Sequence, residues 1–426
     1  MDKYTFEGRR GDRLPNSIRN QSDISSDTPS SGMKSIETPS ISLPKGGGAI
    51  KGIDEQFSVN SVNGTASFTI PLPVAQARGV SPALSVSYNS GGGNSIFGLG
   101  WNLDLVSIKR KTDKGLPRYL DAPFHDNHDT DTYLFSGVDD LVLEFQKDSD
   151  GSFVKDADGH YVVKEHRSSD RQYLIHYFKP RIEGSVARIE RWTKTDSTEV
   201  KWRVVNKENI TTLLGWSAQS RVADPNDPSR IFEWLPELVY DDKGNGCLYQ
   251  YRAEDAVGLD RGRIHNRNRV SNEKLAYTNG YLEKVLYGNK TPLHFESVAD
   301  ASGPTTVDTT DYPATDDFMF QMVFDYGTKR DYDAGDNPAF YHNDAWTFRA
   351  DAFSSYRSGF EIRTTRLCKR VLLFHVFAEL CPELPAGSPP EPTLIRSLDF
   401  HYDTNEDDYS FLASIRSVGS VSYTHL

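Results

Sequence analysis

Residues 81–110 read Ser-Pro-Ala-Leu-Ser-Val-Ser-Tyr-Asn-Ser-Gly-Gly-Gly-Asn-Ser-Ile-Phe-Gly-Leu-Gly-Trp-Asn-Leu-Asp-Leu-Val-Ser-Ile-Lys-Arg. Leu84, Val86 and Tyr88 alternate with small residues, which is the period of a half-buried strand. A second alternation begins at Trp101, after a glycine-rich connection. The stretch therefore predicts two strands joined by an ordered, kinked loop.

The loop carries glycines where the backbone must bend sharply. Gly98 and Gly100 come directly before Trp101. Because glycine adopts positive φ angles that other residues avoid, we expect a bend there that brings the backbone close to the indole. This arrangement predicts that Trp101 lies in the core.

Gly91, Gly93 and Asn94 complete the glycine pattern of the loop. The two glycines also fit the start of a Gly-x-Gly-x-x-Gly dinucleotide motif. However, Ile96 takes the third glycine position and a strand follows in place of a helix. We therefore interpret the pattern as a structural motif and predict no nucleotide or other cofactor there.

The same pattern, written out, is Leu84-x-Val86-x-Tyr88, Ser90-Gly91, Gly93-Asn94 and Gly98-x-Gly100-Trp101-x-Leu103. It resembles the N-terminal domain of the Salmonella virulence plasmid B protein (SpvB) family, a domain that also opens the B subunit of insecticidal Tc toxin complexes. Further segments that resemble the family are 42–50, 68–73 and 359–368. The resemblance extends over residues 40 to 415, approximately.

Composition and turn spacing favour an all-β protein. The chain has 426 residues, of which 12% are aromatic, a class enriched in strands. From Thr132 onward, short strand candidates alternate with turn formers such as Asp148–Gly151 and Asp224–Pro228, as in consecutive antiparallel hairpins. We predict a large antiparallel assembly, similar to the wall of an Rhs or SpvB-like shell. The predicted organisation is a disordered Ser/Asp/Pro-rich arm over 1–40, an all-β domain over 41–415 and a truncated tail over 416–426.

Charge and apolar runs exclude several classes of partner. The formal net charge is −12, so we expect no general attraction to nucleic acid or to anionic membranes. The longest apolar run, 371–380, is too short to span a bilayer, so we expect no direct membrane insertion. No apolar stretch follows Arg9 and Arg10, so a standard secretory signal is not predicted. We therefore expect a protein that is cytoplasmic in the bacterium before release and extracellular after leaving by another route.

Two kinds of metal-capable cluster have simpler explanations. Each of the pairs Asp148/Asp150 and Asp156/Asp158 is followed by glycine and lacks the late bidentate glutamate of a calcium loop, so hairpin turns are favoured. His125 and His128 lie among turn residues, which favours a solvated loop. The three cysteines are too scattered for a disulfide framework or a zinc site. No metal is predicted.

A basic cluster offers the clearest candidate for a binding surface. It comprises Arg261, Arg263, Arg267 and Arg269, around His265. Such a cluster could contact a phosphate or an acidic partner, although runs of charge are more often a solvated face. We keep these arginines as candidate partner contacts.

Catalytic motifs are missing from the sequence. No Gly-x-Ser-x-Gly elbow and no carboxylate–histidine pair at a useful spacing is found. Some members of the resembling family carry a C-terminal mono-ADP-ribosyltransferase domain that depends on a Glu-x-Glu pair, and no two glutamates of this chain stand two apart. We therefore predict no catalytic residue and no enzymatic activity for this chain.

The resemblance implies a structural and delivery role in a bacterial toxin or virulence complex. In that family, the B subunit joins a C subunit in a β shell around a cytotoxic fragment and docks onto a pore-forming A subunit. An alternative is the N-terminal secretion or translocation domain of an ADP-ribosylating toxin. A surface adhesin or carbohydrate-binding β protein is a third interpretation, prompted by the many Tyr and Trp residues.

Overall fold

The structure is a computed structural model, and the all-β prediction is confirmed. It describes residues 56–59, 64–120, 131–136, 139–168, 171–182, 187–197, 199–271, 274–293, 296–298, 306–308, 312–327, 346–381, 385, 388–404 and 409–419. The predicted arm over 1–40, the cluster of His125 and His128 and the last residues of the predicted tail lie outside these ranges. Within them, no helix is long and apolar enough to cross a membrane.

The opening stretch forms a small antiparallel sheet with strand order β1-β2-β3-β6. The two predicted strands on either side of the loop are present, and they pair with each other: Val86 lies opposite Leu103 and Tyr88 opposite Trp101. The loop itself holds a two-residue pairing of β4 with β5. The strands are β1 Gln56–Val59, β2 Ala66–Pro71, β3 Ser85–Asn89, β4 Asn94–Ser95, β5 Gly98–Leu99 and β6 Trp101–Leu103.

The next strands form a small closed barrel. Hydrogen-bonded pairings run antiparallel through β7-β8-β9-β11-β12-β13-β14-β17, and β16, which leads into β17 through Leu235, pairs back with β7. The strands are β7 Ile108–Arg110, β8 Tyr133–Phe135, β9 Asp139–Leu143, β10 Glu165–Arg167, β11 Tyr173–Pro180, β12 Ala187–Lys194, β13 Val200–Asn206, β14 Thr211–Leu214, β15 Arg221–Ala223, β16 Ile231–Trp234 and β17 Pro236–Tyr240. Closure leaves these strands without an open edge on the circuit.

Aromatic side chains fill the barrel. Trp202 is fully buried, and its ring lies 4.9 Å from Tyr133, 5.1 Å from Phe178 and 5.9 Å from Trp234, centroid to centroid. Gly215 has a φ of +67°, and a Cβ there would lie 2.2 Å from Cδ1 of Trp234. The close approach of this backbone to the indole therefore requires glycine.

Beyond β17, the sheet continues as an antiparallel layer in the order β17-β18-β22-β25-β28-β29-β30. Its further strands are β18 Gly246–Ala253, β22 Gly280–Asn289, β25 Phe318–Asp325, β28 Arg370–His375, β29 Thr393–Thr404 and β30 Ser410–Gly419. The sequence analysis did not predict β30, which crosses the proposed domain boundary at residue 415. We name the layer β17 to β30 the long sheet.

Short elements complete the described chain. The strands are β19 Val270–Ser271, β20 Lys274–Leu275, β21 Tyr277–Thr278, β23 Glu296–Val298, β24 Thr306–Asp308, β26 Phe353–Ser355 and β27 Glu361–Thr364. The 3₁₀ helices are Ala218–Ser220, Ile264–Arg269, Thr315–Asp317 and Ala378–Leu380. The 3₁₀ helix Ile264–Arg269 lies within the basic cluster.

The main core lies between the small sheet and one face of the long sheet. We name residues 90–100, which join β3 to β6, the glycine loop. The Phe97 ring of this loop packs edge-on against Phe400, with 5.2 Å between the ring centroids. Trp101 was expected in this core, but it is only partly buried and packs against its edge. It lies near the end of its strand and rests on Tyr88 at 5.2 Å, whereas Leu103 on the same face is buried.

Trp202 in the barrel core and Trp101 at the edge of the main core should contribute different amounts to the stability of the fold. We expect Trp202→Ala to lower the free energy of unfolding by about 3–5 kcal/mol, because a cavity opens in a closed barrel. Trp101→Ala should lower it by less, because part of that ring is already in contact with water. Chemical denaturation of both variants measures the difference, and equal losses would contradict the assigned burial.

Candidate functional site

The glycine loop is fixed by a buried ion pair that joins three distant segments. Arg349 and Asp351 pair through two hydrogen bonds of 2.7 and 2.8 Å, with both side chains almost fully buried. The Asn94 amide donates to Asp351 at 3.0 Å and accepts from Arg349 at 2.9 Å. The Ser410 backbone N–H and hydroxyl donate to Asp351 at 2.9 and 3.0 Å. We name Asn94, Arg349, Asp351 and Ser410 the Asp351 latch.

The latch controls the ionisation of its carboxyl group. Burial alone would raise the pKa of Asp351, but the hydrogen bonds from Arg349, Ser410 and Asn94 hold that pKa well below its usual range. A carboxylate that accepts several charge-assisted and backbone hydrogen bonds stays ionised at all but very acidic pH.

The predicted glycine positions differ in what they contact. A Cβ on Gly98 would lie 2.6 Å from the Ser410 carbonyl oxygen, and one on Gly100 would lie 2.5 Å from the Tyr88 ring. A Cβ on Gly91 would approach Thr65 at 3.0 Å, whereas one on Gly93 would meet nothing within 4 Å. The loop thus lies close to the rest of the protein at Gly98 and Gly100, and the assignment of the whole glycine pattern to a structural motif stays a prediction.

The arginine cluster stands on a projecting turn, which we name the arginine projection and define as residues 260–269. Arg261, Arg263 and Arg267 are exposed on it. Between them Ile264 is 80% exposed. An exposed apolar side chain bordered by arginines combines two residue types that partner interfaces use. The sequence analysis missed Ile264; its signal is a single large apolar residue within a run of arginines.

Hydrogen bonds and ion pairs of its less exposed side chains fix the shape of the arginine projection. Asn266, 3% exposed, donates through its amide to the Asp260 carbonyl at 2.9 Å. Arg269 donates to Glu361 at 2.9 Å, and this pair raises the pKa of Arg269 although burial opposes its charge. Arg263 also pairs with Asp260 at 3.4 Å. Arg269 is therefore an internal anchor of the projection, and the outer surface is formed by the other three arginines with Ile264.

The aspartate pairs serve turns. Asp148 accepts the Ser152 backbone N–H at 2.9 Å, and Asp156 accepts that of His160 at 2.8 Å. Asp156, Asp158 and His160 lie close enough to share a cation, but all three are exposed. Cys247, Cys368 and Cys381 are free thiols, the first two buried.

A family model described as Salmonella virulence plasmid 65kDa B protein, SpvB, matches residues 60–377. The chain belongs to this family. The SpvB-family match spans the glycine loop, the barrel, the arginine projection and Arg349 and Asp351 of the latch. It ends before Ser410, the last latch residue.

Curated proteins from Salmonella are similar in sequence to most of this chain. The chain is 35% identical over 378 residues to the mono(ADP-ribosyl)transferase SpvB of Salmonella typhimurium, which covers 88% of this chain and 56% of the relative. It is 35% identical over 366 residues to the protein of that name from Salmonella choleraesuis, covering 85% and 54%. The chain thus spans about half the length of the curated relatives it matches.

The fold resembles solved structures of two kinds, an effector domain and chains of Tc toxin complexes. The N-terminal domain of the effector protein SpvB from Salmonella typhimurium matches with a TM-score of 0.62 and 32% identity, over 83% of this chain and 98% of that domain. A chain of the TcdB2-TccC3 crystal structure matches at 0.66 and 29%, covering 88% and 17%. A chain of the Photorhabdus luminescens Tc holotoxin pore matches at 0.69 and 31%, covering 89% and 16%. These matches support an N-terminal structural or delivery part of a toxin.

Two glycines of the loop should respond differently to the same substitution. Gly98→Ala places a methyl group against the Ser410 carbonyl at a φ of +86°. Backbone strain alone should lower the free energy of unfolding by about 1–3 kcal/mol, and the contact should add to it. Gly93→Ala is the matched control and should change it by less than about 0.5 kcal/mol. Equal stability of both variants in urea would show that the loop does not close on β30.

Replacing the latch carboxylate should destabilise the fold in a pH-dependent way. Asp351→Asn leaves Arg349 buried without its counter-charge, so we expect a loss of about 3–5 kcal/mol at pH 7. Because the folded-state pKa of Asp351 is depressed, its contribution is fully present above the unfolded value of about 3.9 and declines as pH falls below it. Denaturation at pH 7 and pH 3 should therefore show a smaller difference at pH 3. A gap that stays constant or widens would refute the assigned ionisation.

Proposed function

We propose that this chain is a non-catalytic structural and delivery component of a bacterial toxin, the N-terminal part of a Tc-toxin B-like subunit. In this role it contributes to the wall of a β shell that encloses a cytotoxic fragment, with a C subunit and a pore-forming A subunit as partners. The observation that carries the proposal is the fold likeness to Tc toxin chains over up to 89% of this chain, at a TM-score of 0.69.

The packing of the long sheet supports a wall. Tyr249 and Val285 belong to the core on one face, and Leu248 and Leu286 belong to a second buried cluster on the other. Antiparallel sheets often leave one face in water, whereas these strands are buried on both. A layer packed on both faces keeps its shape, which a container wall requires.

Glu254, whose side chain is almost fully enclosed, also fits a structural role. Burial raises the pKa of Glu254, although Tyr281, Thr365 and Arg366 stabilise its charge. The Thr365 hydroxyl lies 2.7 Å from either carboxylate oxygen, and Arg366 lies 3.4 Å from one of them. With a side chain only 1% exposed, Glu254 cross-links β18 to the segment after β27 and is closed to a substrate.

The alternative, the N-terminal secretion or translocation domain of an ADP-ribosylating toxin, has its own support. The chain matches 98% of the solved SpvB N-terminal domain and is 35% identical to the curated transferases. In both cases we expect release from the bacterium. Transfer of ADP-ribose from NAD by the full-length protein, without a C subunit in complex, would favour the alternative.

The arginine projection provides the test of partner assembly. We expect the combined change of Arg261, Arg263, Arg267 and Ile264 to Ser to reduce co-purification of the full-length protein with its cognate C subunit at least tenfold. These side chains are exposed, so the melting temperature should stay close to that of the parent.

A second exposed Arg-Ile pair gives the control. Arg181 and Ile182 lie in the β11–β12 connection, with a 68% exposed arginine side chain and a 75% exposed isoleucine. Their change to Ser should leave co-purification intact. Unchanged assembly of both variants would remove the projection as a contact, and failure of the parent to bind any C subunit would remove the shell proposal itself.

A further inference from the structure

A cleft opens on the face of the long sheet that points away from the small sheet. Its volume is about 610 Å³, within the range of small-molecule sites. The floor is built from adjacent strands, because Gln250 lies opposite Lys284 and Leu286 lies opposite Gln321. Alternate residues of a strand share a face, so these four side chains form one continuous surface.

The rim of the cleft is built from two fixed segments. On one side, Lys290 donates to the Asp316 carbonyl at 3.2 Å, and Thr291 bonds to Asp317 through its backbone N–H and its hydroxyl, both at 3.0 Å. On the other side, prolines of the segment 389–392 form the wall. Proline restricts φ, so this wall is stiff. The cleft is therefore a shaped site and more than a gap between loops.

The lining carries an excess of positive charge in a protein whose net charge is −12. Among the residues that the structure describes, two lysines of the lining, Lys284 and Lys290, accompany one acidic residue, Asp316. Lys284 is only 7% exposed, and burial lowers its pKa to about 8, with Glu283 acting in the opposite sense. An ammonium group removed from water gains when an anion approaches it.

We propose that this cleft binds a small organic or inorganic oxyanion, a carboxylate or a phosphate, whose charge contacts the Lys284 ammonium group. The amide groups of Gln250 and Gln321 supply N–H donors on either side of the floor, and Lys290 adds a second charge at the rim. This site is separate from the arginine projection and independent of the proposed shell role.

Calorimetric titration of the full chain with citrate, and separately with inorganic phosphate, tests the site and distinguishes the two anions. We expect saturable binding of at least one, with a Kd at least tenfold weaker in Lys284→Met, which keeps the length of the side chain and removes its charge. Lys274→Met, at an exposed lysine, is the matched control and should bind as the parent does. Absence of saturable binding of both anions, or equal binding by Lys284→Met, would overturn the proposal.

A measurement on the unsubstituted side chain guards against a variant that fails to fold. Reductive methylation with ¹³C labels lysines, and the methyl resonance of Lys284 should shift on addition of the bound anion. A resonance that stays fixed at saturating citrate and phosphate would equally overturn the proposal.

Discussion

The buried ion pair of Arg349 with Asp351 is the interaction on which the docking of the small sheet against the long sheet depends. It gathers Asn94 from the glycine loop and Ser410 from the start of β30, so one carboxylate connects positions that are far apart in the chain. A pair of buried charges is tolerated only when hydrogen bonds satisfy both partners, as they do here. The glycine at position 98 belongs to the same arrangement, because it lets the loop reach the Ser410 carbonyl.

The step from β16 through Leu235 into β17 is the second point of connection. β16 closes the barrel against β7, and β17 begins the long sheet by pairing with β18. One short stretch of chain thus belongs to both parts of the fold. The cleft lies on the long sheet, whereas the arginine projection is anchored through Arg269 to Glu361 of β27, outside that layer.

Local pattern was enough to predict much of this fold. Period-two alternation located β3 and β6, since each has one face on a core. The spacing of short strand candidates between turn formers from Thr132 onward predicted the antiparallel hairpins that follow. The two strands joined by a kinked loop were predicted, but the register that sets Tyr88 opposite Trp101 was not. Barrel closure could not be predicted, because it depends on β16 meeting β7, more than a hundred residues earlier. The partial exposure of Trp101 depends likewise on tertiary packing that the local pattern does not contain. The latch was missed because Arg349 and Asp351 carry no local pattern, and Ile264 because a single apolar residue in a turn has no periodicity.

The long sequence separation within the Asp351 latch has a consequence for biosynthesis. Ser410 leaves the ribosome more than three hundred residues after Asn94, and contacts across such distances form late because the chain entropy must be lost first. The small sheet can pair its own strands early, but it can dock onto the long sheet only after β30 has been translated. We therefore expect the nascent chain to expose the Phe97 side of the glycine loop for most of its synthesis, a surface that a chaperone would have to protect.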